Sequence, residues 1–293
     1  MRKFTLLFMF LTFSMANSGR CQDLMDMFGT DSSKTKEFTS ATFKTTHLVI
    51  GQTIETVPKG NMNFIISHHF GKVNEGSYTL FGLDQSTIRI GLEYGVTKRL
   101  SLGVGRSTFE KTFDGNVKFK ILRQKKSSMP LTVVYFGAIT INSMHWEDPV
   151  RKNYFTSRLA FANQLLIASK ISKELSVQIM PTHIHKNLVK LLADQNDIFA
   201  IGTGMRYKIA KRISVNAEYY YLLPGNTAKE FKNSLSIGVD LETGGHVFQL
   251  FFTNSHPLFE RGFITETTGT WGKGDIYFGF NITRTFTLIK KKE

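Results

Sequence analysis

The feature that most constrains the fold is an alternation of apolar and polar residues that begins near residue 61. In the stretch "TIRIGLEYGV", Ile88 and Ile90 share one face, whereas Arg89 and Glu93 share the other. Residues two apart lie on the same side of a β-strand, whereas the apolar residues of an amphipathic helix recur every three or four positions. The alternation therefore predicts strands with one apolar and one polar face.

Twelve such segments follow one another, and the connections between them alternate in length. Short connections, such as Val96 to Arg99, alternate with long ones, such as His256 to Lys273. Outer-membrane barrels have an even number of strands, short periplasmic turns and longer external loops. The sequence therefore predicts an all-β chain that forms an antiparallel transmembrane β-barrel of about 12 strands, with a range of roughly 10 to 14, in the outer membrane. The predicted strands are 61–70, 86–96, 99–109, 115–123, 130–142, 154–169, 173–185, 197–209, 212–223, 233–242, 246–255 and 274–288.

A soluble β-sandwich also alternates, and it is the main alternative fold. Two observations favour the membrane barrel. Small residues such as Gly91 and Gly238 interrupt the charged faces, as expected inside a crowded barrel, and aromatic residues gather near strand ends, as at Tyr219 to Tyr221. Pro181 and Asn163 break the pattern of their strands, and a bulge at either position would reconcile them.

The first 21 residues read as a secretory signal peptide. Arg2 and Lys3 precede an apolar run over residues 4–15, and small and polar residues follow up to Cys21. The run is shorter than the roughly 20 residues that a membrane-spanning helix needs. Lipidation of Cys21 is the alternative, although Arg20 fits such a site poorly. The sequence thus predicts an exported chain with three parts: residues 1–21, 22–60 and 61–293.

Residues 22–60 are a separate N-terminal segment for which two interpretations remain open. The barrel strands counted from Asn61 already form an even set, and a Thr- and Lys-rich segment is a poor candidate for facing lipid. We therefore predict that part of this segment folds into the lumen or lies across its periplasmic mouth. The rival interpretation is an extra wall hairpin that turns at Ile50-Gly51-Gln52.

The chain carries a basic excess, with 37 Lys and Arg residues against 23 Asp and Glu residues and a net charge of +14. Without the signal peptide the balance is 34 basic against 23 acidic residues, a net charge of +11. Such an excess suits outer-membrane lipid, lipopolysaccharide phosphate or a small anionic solute, although a solvated basic loop surface is the favoured explanation. No nucleic-acid partner is expected for an exported chain.

The predicted strand phases place a set of charged residues in the lumen. Two interpretations follow: a basic ladder that selects anions, or a structural network in which opposite charges satisfy one another. The lumen-facing candidates are Arg89, Glu93, Arg99, Arg106, Lys118, Lys120, Arg158, Arg206, Lys208, Glu218, Asp240 and Glu242.

Motifs for catalysis or metal binding are weak. His183 and His185 lie on one strand face, but no third ligand can be identified by spacing, and a metal site needs three or four. Ser67 beside His68 and His69 lacks the turn of a nucleophilic serine, and "ADQND" lacks the Gly and distal Glu of an EF-hand. The sequence therefore predicts no catalytic residue, no metal site and no cofactor.

Long blocks of the chain, among them "LFGLDQSTIRIGLEYGVTKRLSLGVGRS" and "WEDPVRKNYFTSRLAFANQLLIASK", resemble an uncharacterised family of Bacteroidetes outer-membrane β-barrel proteins. The resemblance implies location and fold and brings no site residues. We predict a narrow channel or a small-solute-binding barrel. A structural or assembly barrel whose external loops bind partners is the alternative, and an outer-membrane hydrolase is a distant third.

The loop lengths also predict an orientation. Asp148, Lys190 and Glu266 are expected in external loops, and Lys98, Lys173 and Lys211 at periplasmic turns.

Overall fold

Twelve antiparallel strands form the protein and close on themselves as a barrel. The computed structural model describes residues 38–125, 128–146, 148–189, 194–225, 227 and 230–289. The signal peptide, Cys21 and Lys190 lie outside these ranges. The strands are β1 Asn61–Lys72, β2 Ser86–Gly95, β3 Leu100–Ser107, β4 Phe113–Leu122, β5 Thr132–Ile141, β6 Leu159–Lys170, β7 Leu175–Lys186, β8 Asp197–Ala210, β9 Ile213–Leu222, β10 Ser234–Thr243, β11 His246–Thr253 and β12 Tyr277–Thr287.

Each strand pairs with its neighbours in sequence, and β1 closes the barrel against β12 in a register that runs from Asn61 opposite Thr287 to His69 opposite Gly279. A closed barrel leaves no unpaired sheet edge, which a lipid environment requires. The predicted twelve-stranded antiparallel barrel is therefore confirmed.

The alternation of the sequence reappears as an alternation of exposure. Along β2, Arg89 and Glu93 are buried, whereas Ile90 and Leu92 are exposed on the outer surface. Exposed apolar side chains on the outer face are what a bilayer accommodates.

The bulges predicted at Pro181 and Asn163 are absent. β7 pairs with β8 in unbroken register from Leu175 to His185, through Pro181. Asn163 stays in register on the outer face of β6, where its Oδ1 accepts a hydrogen bond from the Tyr135 hydroxyl at 2.7 Å. A polar partner on the next strand therefore satisfies Asn163 without any change of register.

The connections at one end of the barrel are mostly short turns, the longest being residues 123–131 between β4 and β5, and those at the other end are mostly long loops, the shortest being residues 108–112 between β3 and β4. The ends are called here the short-turn end and the long-loop end. One α-helix is present in the described residues, α1 Glu260–Thr265, in the connection between β11 and β12. The remaining helical pieces are 3₁₀ turns at Val73–Glu75, Ser77–Thr79, Phe109–Lys111, Phe155–Arg158 and Trp271–Lys273. No helix in the described residues is long and apolar enough to cross a membrane.

Candidate functional site

The structure places nine of the predicted lumen residues on inward positions of the wall. Inward side chains share the buried face of their strands, and several sit opposite one another on neighbouring strands, as Gly238 with Asn216 and Asp240 with Ser214. The buried members are Arg89, Glu93, Lys118, Arg206, Glu218 and Asp240, and the half-buried members are Lys120, Lys208 and Glu242.

Three of the predicted lumen residues lie elsewhere. Arg106 is exposed on the outer face, because it is two residues beyond Val104 and shares its side of β3; its guanidinium lies 5.3 Å from the Phe113 ring centre. Arg99 is exposed in the turn that precedes β3. Arg158 belongs to a loop, where it packs over Trp146 at 3.8 Å. The prediction was wrong at Arg99 and Arg158 because a turn or a 3₁₀ segment does not continue the phase of a strand, and at Arg106 because its position on β3 has the phase of the outward residues.

Residues 42–57, called here the lumenal finger, lie inside the barrel and contribute no strand to the wall. Their backbone doubles back at Ile50-Gly51, with Leu48 N–H donating to the Gly51 carbonyl at 2.8 Å and Thr53 N–H donating to the Thr46 carbonyl at 2.9 Å. The turn expected at this place therefore exists, but the hairpin it closes sits in the lumen.

The tip of the finger is held by a carboxylate of the wall. Glu218 accepts hydrogen bonds from the backbone N–H groups of Val49 at 3.2 Å, Ile50 at 2.9 Å and Gly51 at 3.0 Å. Gly51 is required here, because a Cβ at this position would collide with the Tyr220 hydroxyl. Three donors on one carboxylate make the contact charge-assisted and specific to this backbone shape.

Wall amides hold the rest of the finger by its backbone. The three amides lie on different strands, so they surround the finger. Asn281 Nδ2 donates to the Val49 carbonyl at 2.7 Å, Gln249 Nε2 donates to the Leu48 carbonyl at 3.0 Å, and Gln178 donates to the Gln52 carbonyl at 2.7 Å while accepting from Ile54 N–H at 3.0 Å.

One side of the inner wall is apolar and is called here the apolar strip. It packs with the apolar residues of the finger into one hydrophobic cluster. Gly204 makes room for the finger, since a Cβ there would collide with Leu48 Cδ2. The strip consists of Val134, Phe136, Leu166, Met180, Ile184 and Ile198, and the finger contributes Phe43, Leu48, Val49, Ile50 and Ile54.

The adjoining part of the inner wall, called here the charged strip, comprises Arg89, Glu93, Asp114, Lys118 and Lys120, and it borders the apolar strip where Lys118 pairs with Phe136. Arg89 Nε donates to Asp114 at 2.9 Å. Lys118 Nζ donates to the Thr46 carbonyl at 2.7 Å, and Lys120 lies 4.0 Å from Glu55. The strip's cations thus each have a partner on the wall or the finger, as a structural network requires.

The long-loop end contributes a second insert, residues 254–276, called here the cap loop. Its helix α1 packs against β6 and β9, with Phe263 fully buried 5.3 Å from the Tyr220 ring. Inside the lumen, Gln52 Nε2 of the finger donates to Glu260 of α1 at 2.7 Å. The finger and the cap loop therefore meet, and the lumen is filled from both ends.

Little space remains where the two inserts meet. A cavity of about 10 Å³ lies between them, which is room for about one water molecule. Burial lowers the pKa of His47, which lines this cavity, to about 4, and burial raises the pKa of Glu260. Both groups are therefore biased toward their neutral forms. The cavity is lined by His47, Ile50, Ser67, Arg89, Leu258 and Asn281.

The histidines do not assemble into a metal centre. His183 and His185 face outward and share one oxygen of Asp197, each at 2.8 Å. His69 faces the lumen beside Phe251, whereas His68 faces outward and stacks on Phe280. Among the described residues, no group of three or more His, Cys, Asp and Glu side chains is arranged to hold a metal ion.

The cap loop and the apolar strip were missed by the sequence reasoning, although both leave a signal. "PLFERGFI", residues 257–264, is an apolar run inside a stretch read as an external loop. Glu266, expected to be external, lies in this loop and pairs with Lys186 and Arg261 at 3.5 Å.

The fold and the exposed apolar outer face define the protein as a transmembrane β-barrel of the outer membrane. The chain belongs to the family described as "Membrane bound beta barrel domain (DUF5777)", whose profile matches residues 43–286. The match extends over most of the finger, the barrel and the cap loop. No curated protein matches the sequence.

Solved structures of outer-membrane barrels resemble the chain at low identity. The NanC porin is 9% identical over 78% of this chain and 100% of the porin, with a TM-score of 0.46. An outer membrane channel from Pseudomonas putida F1 is 10% identical over 80% of this chain and 98% of the channel, with a TM-score of 0.44. Outer membrane phospholipase A from Escherichia coli is 10% identical over 78% of this chain and 91% of the enzyme, with a TM-score of 0.42. We draw no functional conclusion from likenesses this distant.

Proposed function

We propose that the protein is an outer-membrane barrel whose lumen is closed at rest and which acts as a binding or assembly barrel through the surfaces at its two ends. The observation that carries this proposal is the contact between Gln52 of the finger and Glu260 of the cap loop, surrounded by a packed apolar cluster. A water-filled channel has a polar interior. This proposal develops the structural or assembly barrel that the sequence left as the alternative, in place of the narrow channel or small-solute-binding barrel.

The energetics of the finger support a closed resting state. Leu48, Val49, Ile50 and Ile54 are each at most 5% exposed. Exposing such a side chain to water costs about 1.5–3 kcal/mol. Withdrawing the finger would also break the three hydrogen bonds that Glu218 accepts from its tip. A state without the finger is therefore rare unless another contact compensates for these losses.

The long loops support a role in binding. Tyr78 and Val150 are 96% and 94% exposed, and Phe81, Tyr154 and Phe155 are all more than half exposed. Exposed apolar and aromatic side chains in loops at one end of a barrel are typical of surfaces that contact a partner. A photo-crosslinking residue at Tyr78 or Val150 on intact cells should give a defined adduct, and one at Gly244 in a short turn should not give the same adduct.

A gated channel is the second candidate, and one observation favours it. The finger's backbone is held by side-chain amides and a carboxylate, and water is able to replace such hydrogen bonds. A force applied to the chain before residue 42 would pull the finger from the short-turn end. On this reading the barrel conducts only after the finger leaves.

Planar-bilayer recordings on a cross-linked finger test both candidates. In the variant Ile54→Cys with Gln178→Cys, a disulfide would fix the finger to β7, next to the observed Ile54–Gln178 hydrogen bond. We expect no steady conductance from the wild type or from the oxidised or reduced variant, with Ile54→Cys alone as the control. Conductance that appears only after reduction would favour the gated channel. Steady conductance with the finger cross-linked would contradict a closed lumen.

A further inference from the structure

The basic excess of the chain is concentrated at one end of the barrel. At the short-turn end, the exposed charged residues that form no ion pair within the described ranges are nearly all cations. They are Lys59, Lys98, Arg99, Lys173, Lys211, Arg212 and Arg284, against the single exposed acid Glu174. These seven cations are called here the basic rim.

Among the residues that the structure describes, the long-loop end has no such excess. Its exposed acids are Glu75, Asp84, Asp148, Asp197 and Glu230, and its exposed cations are Arg106, Lys111, Arg151, Lys152, Lys232 and Lys273. The mixed signs there give little net field. The two ends of the barrel therefore differ in charge although they belong to the same short, closed wall.

The basic rim encircles the barrel. Cations occur in the connections β2–β3, β6–β7 and β8–β9 and at the seam between β1 and β12, and the β4–β5 connection adds the half-buried Arg123 and Lys125. Of the short connections, only β10–β11, with Gly244 and Gly245, carries no cation. A protein partner would contact cations on one side of the barrel only. A membrane surrounds the barrel, so a ring of cations fits a membrane surface better.

Aromatic side chains indicate where the basic rim lies relative to the surface of the membrane. Tyr94, Phe119 and Tyr207 occupy outward positions on β2, β4 and β8, as their pairing with Leu102, Leu100 and Leu175 shows. Lys98, Arg123 and Lys211 follow them by four residues. Outward aromatic rings mark the boundary between hydrocarbon and headgroups in membrane barrels. The cations beyond them lie at the level of the lipid headgroups.

We propose that the basic rim binds the anionic headgroups of phospholipids in the leaflet at the short-turn end. Exposed ammonium and guanidinium groups attract phosphate, and the negative potential of an anionic leaflet strengthens this attraction. With long loops external, this leaflet faces the periplasm, so the basic excess is not directed at lipopolysaccharide. The proposal goes beyond the closed lumen and does not depend on it.

Spin-labelled lipids measure the headgroup preference directly. The full barrel is reconstituted in phosphatidylcholine vesicles with spin-labelled phosphatidylglycerol or spin-labelled phosphatidylcholine, and electron paramagnetic resonance gives the protein-bound fraction of each. We expect phosphatidylglycerol to associate up to about fivefold more strongly, since that is the effect of one engaged cation near a charged surface. The preference should fall sharply in about 1 M salt, where the Debye length is about 3 Å.

A matched pair of variants shows which end of the barrel causes the preference for phosphatidylglycerol. Lys98→Gln, Lys173→Gln, Lys211→Gln and Arg212→Gln together should lower the preference markedly, and Lys59, Arg99 and Arg284 account for what remains. Lys111→Gln, Arg151→Gln, Lys152→Gln and Lys273→Gln together remove the same charge from the long-loop end and should leave it unchanged. Equal association of both lipids with the wild type would overturn the proposal and point to an acidic protein as the partner. The same loss in both variants would overturn it as well, and the wild-type salt dependence decides the question if a variant does not fold.

Discussion

The apolar strip and the charged strip hold the same finger by different means. The apolar strip excludes water from Leu48 and Ile54, whereas the adjoining charged strip holds the finger through Lys118 and the Thr46 carbonyl. The apolar contact is non-directional and tolerates small shifts, and the polar contact fixes the position of the finger. The interior of this barrel is therefore packed like a protein core with one polar side. The polar wall of a water-filled channel is built differently.

The largest expected effect comes from placing a charge against the apolar strip. Leu48→Glu would bury a carboxylate between Gly204 and the hydrophobic cluster, at a cost of several kcal/mol. We expect the finger to leave the lumen, so that a cysteine at Thr53 becomes reactive to a water-soluble reagent. Lys44→Gln, at the half-exposed start of the finger, is the control. An unreactive Thr53→Cys in the Leu48→Glu background would mean that the apolar strip does not retain the finger.

The sequence predicted only part of the difference between the two strips. The period-two alternation predicted the strands of the wall because one face of each is apolar and meets lipid. In "LTVVYFGAITI" and "LAFANQLLIASK" both faces are largely apolar. Such runs indicate strands that are buried on both sides, here by lipid outside and by the finger inside.

The partners across the lumen were out of reach of sequence reasoning. Glu218 and the tip at Gly51 are far apart in the chain, and only the closure of the barrel brings them together. The turn at Ile50-Gly51 was visible, but local pattern does not distinguish a hairpin in the wall from one in the lumen. Arg106 shows the opposite error, since its charge suggested the lumen whereas its phase on β3 placed it outside.

A second effect, of about 3–5 kcal/mol, is expected from breaking the charged strip. Asp114→Ala leaves the Arg89 guanidinium buried without its principal partner. Urea unfolding of the folded barrel in detergent should show this loss. The double variant Arg89→Met with Asp114→Leu removes both charges and should recover most of the stability, because an apolar pair replaces a buried ion pair at little cost. If the double variant is as unstable as the single one, the pair has a role beyond charge compensation.

His47 is expected to make the free energy of unfolding about 2 kcal/mol smaller at pH 5 than at neutral pH. Its pKa is lowered from 6.5 to about 4 in the folded state, mainly by burial, and Glu93, Lys118, Arg89 and Asp114 surround it. The unfolded state therefore binds the proton first, so the stability contributed by neutral His47 is complete above pH 6.5 and is lost as the pH falls toward 4.

Thermal or urea unfolding between pH 7 and pH 4.5 tests this dependence against His47→Gln, which carries no titratable group. Carboxylates titrate in the same range in both proteins, so the difference between the two curves isolates His47. Parallel curves would show that His47 is hydrated in the folded state.

The smallest expected effect concerns Glu218, the carboxylate that holds the tip of the finger. Glu218→Gln keeps the shape but removes the charge and replaces one carboxylate oxygen with an amide nitrogen. The N–H groups of Ile50 and Gly51 then retain an acceptor at Oε1, whereas Val49 N–H loses the acceptor at Oε2. Hydrogen bonds to a charged group contribute about 1.5–3 kcal/mol and neutral ones about 1 kcal/mol, so we expect a loss of about 1–2 kcal/mol in unfolding free energy. Glu242→Gln, on a half-exposed carboxylate near Lys44, is the matched control and should cost less. Equal losses in the two variants would mean that Glu218 contributes no more than an ordinary ion pair at the mouth of the barrel.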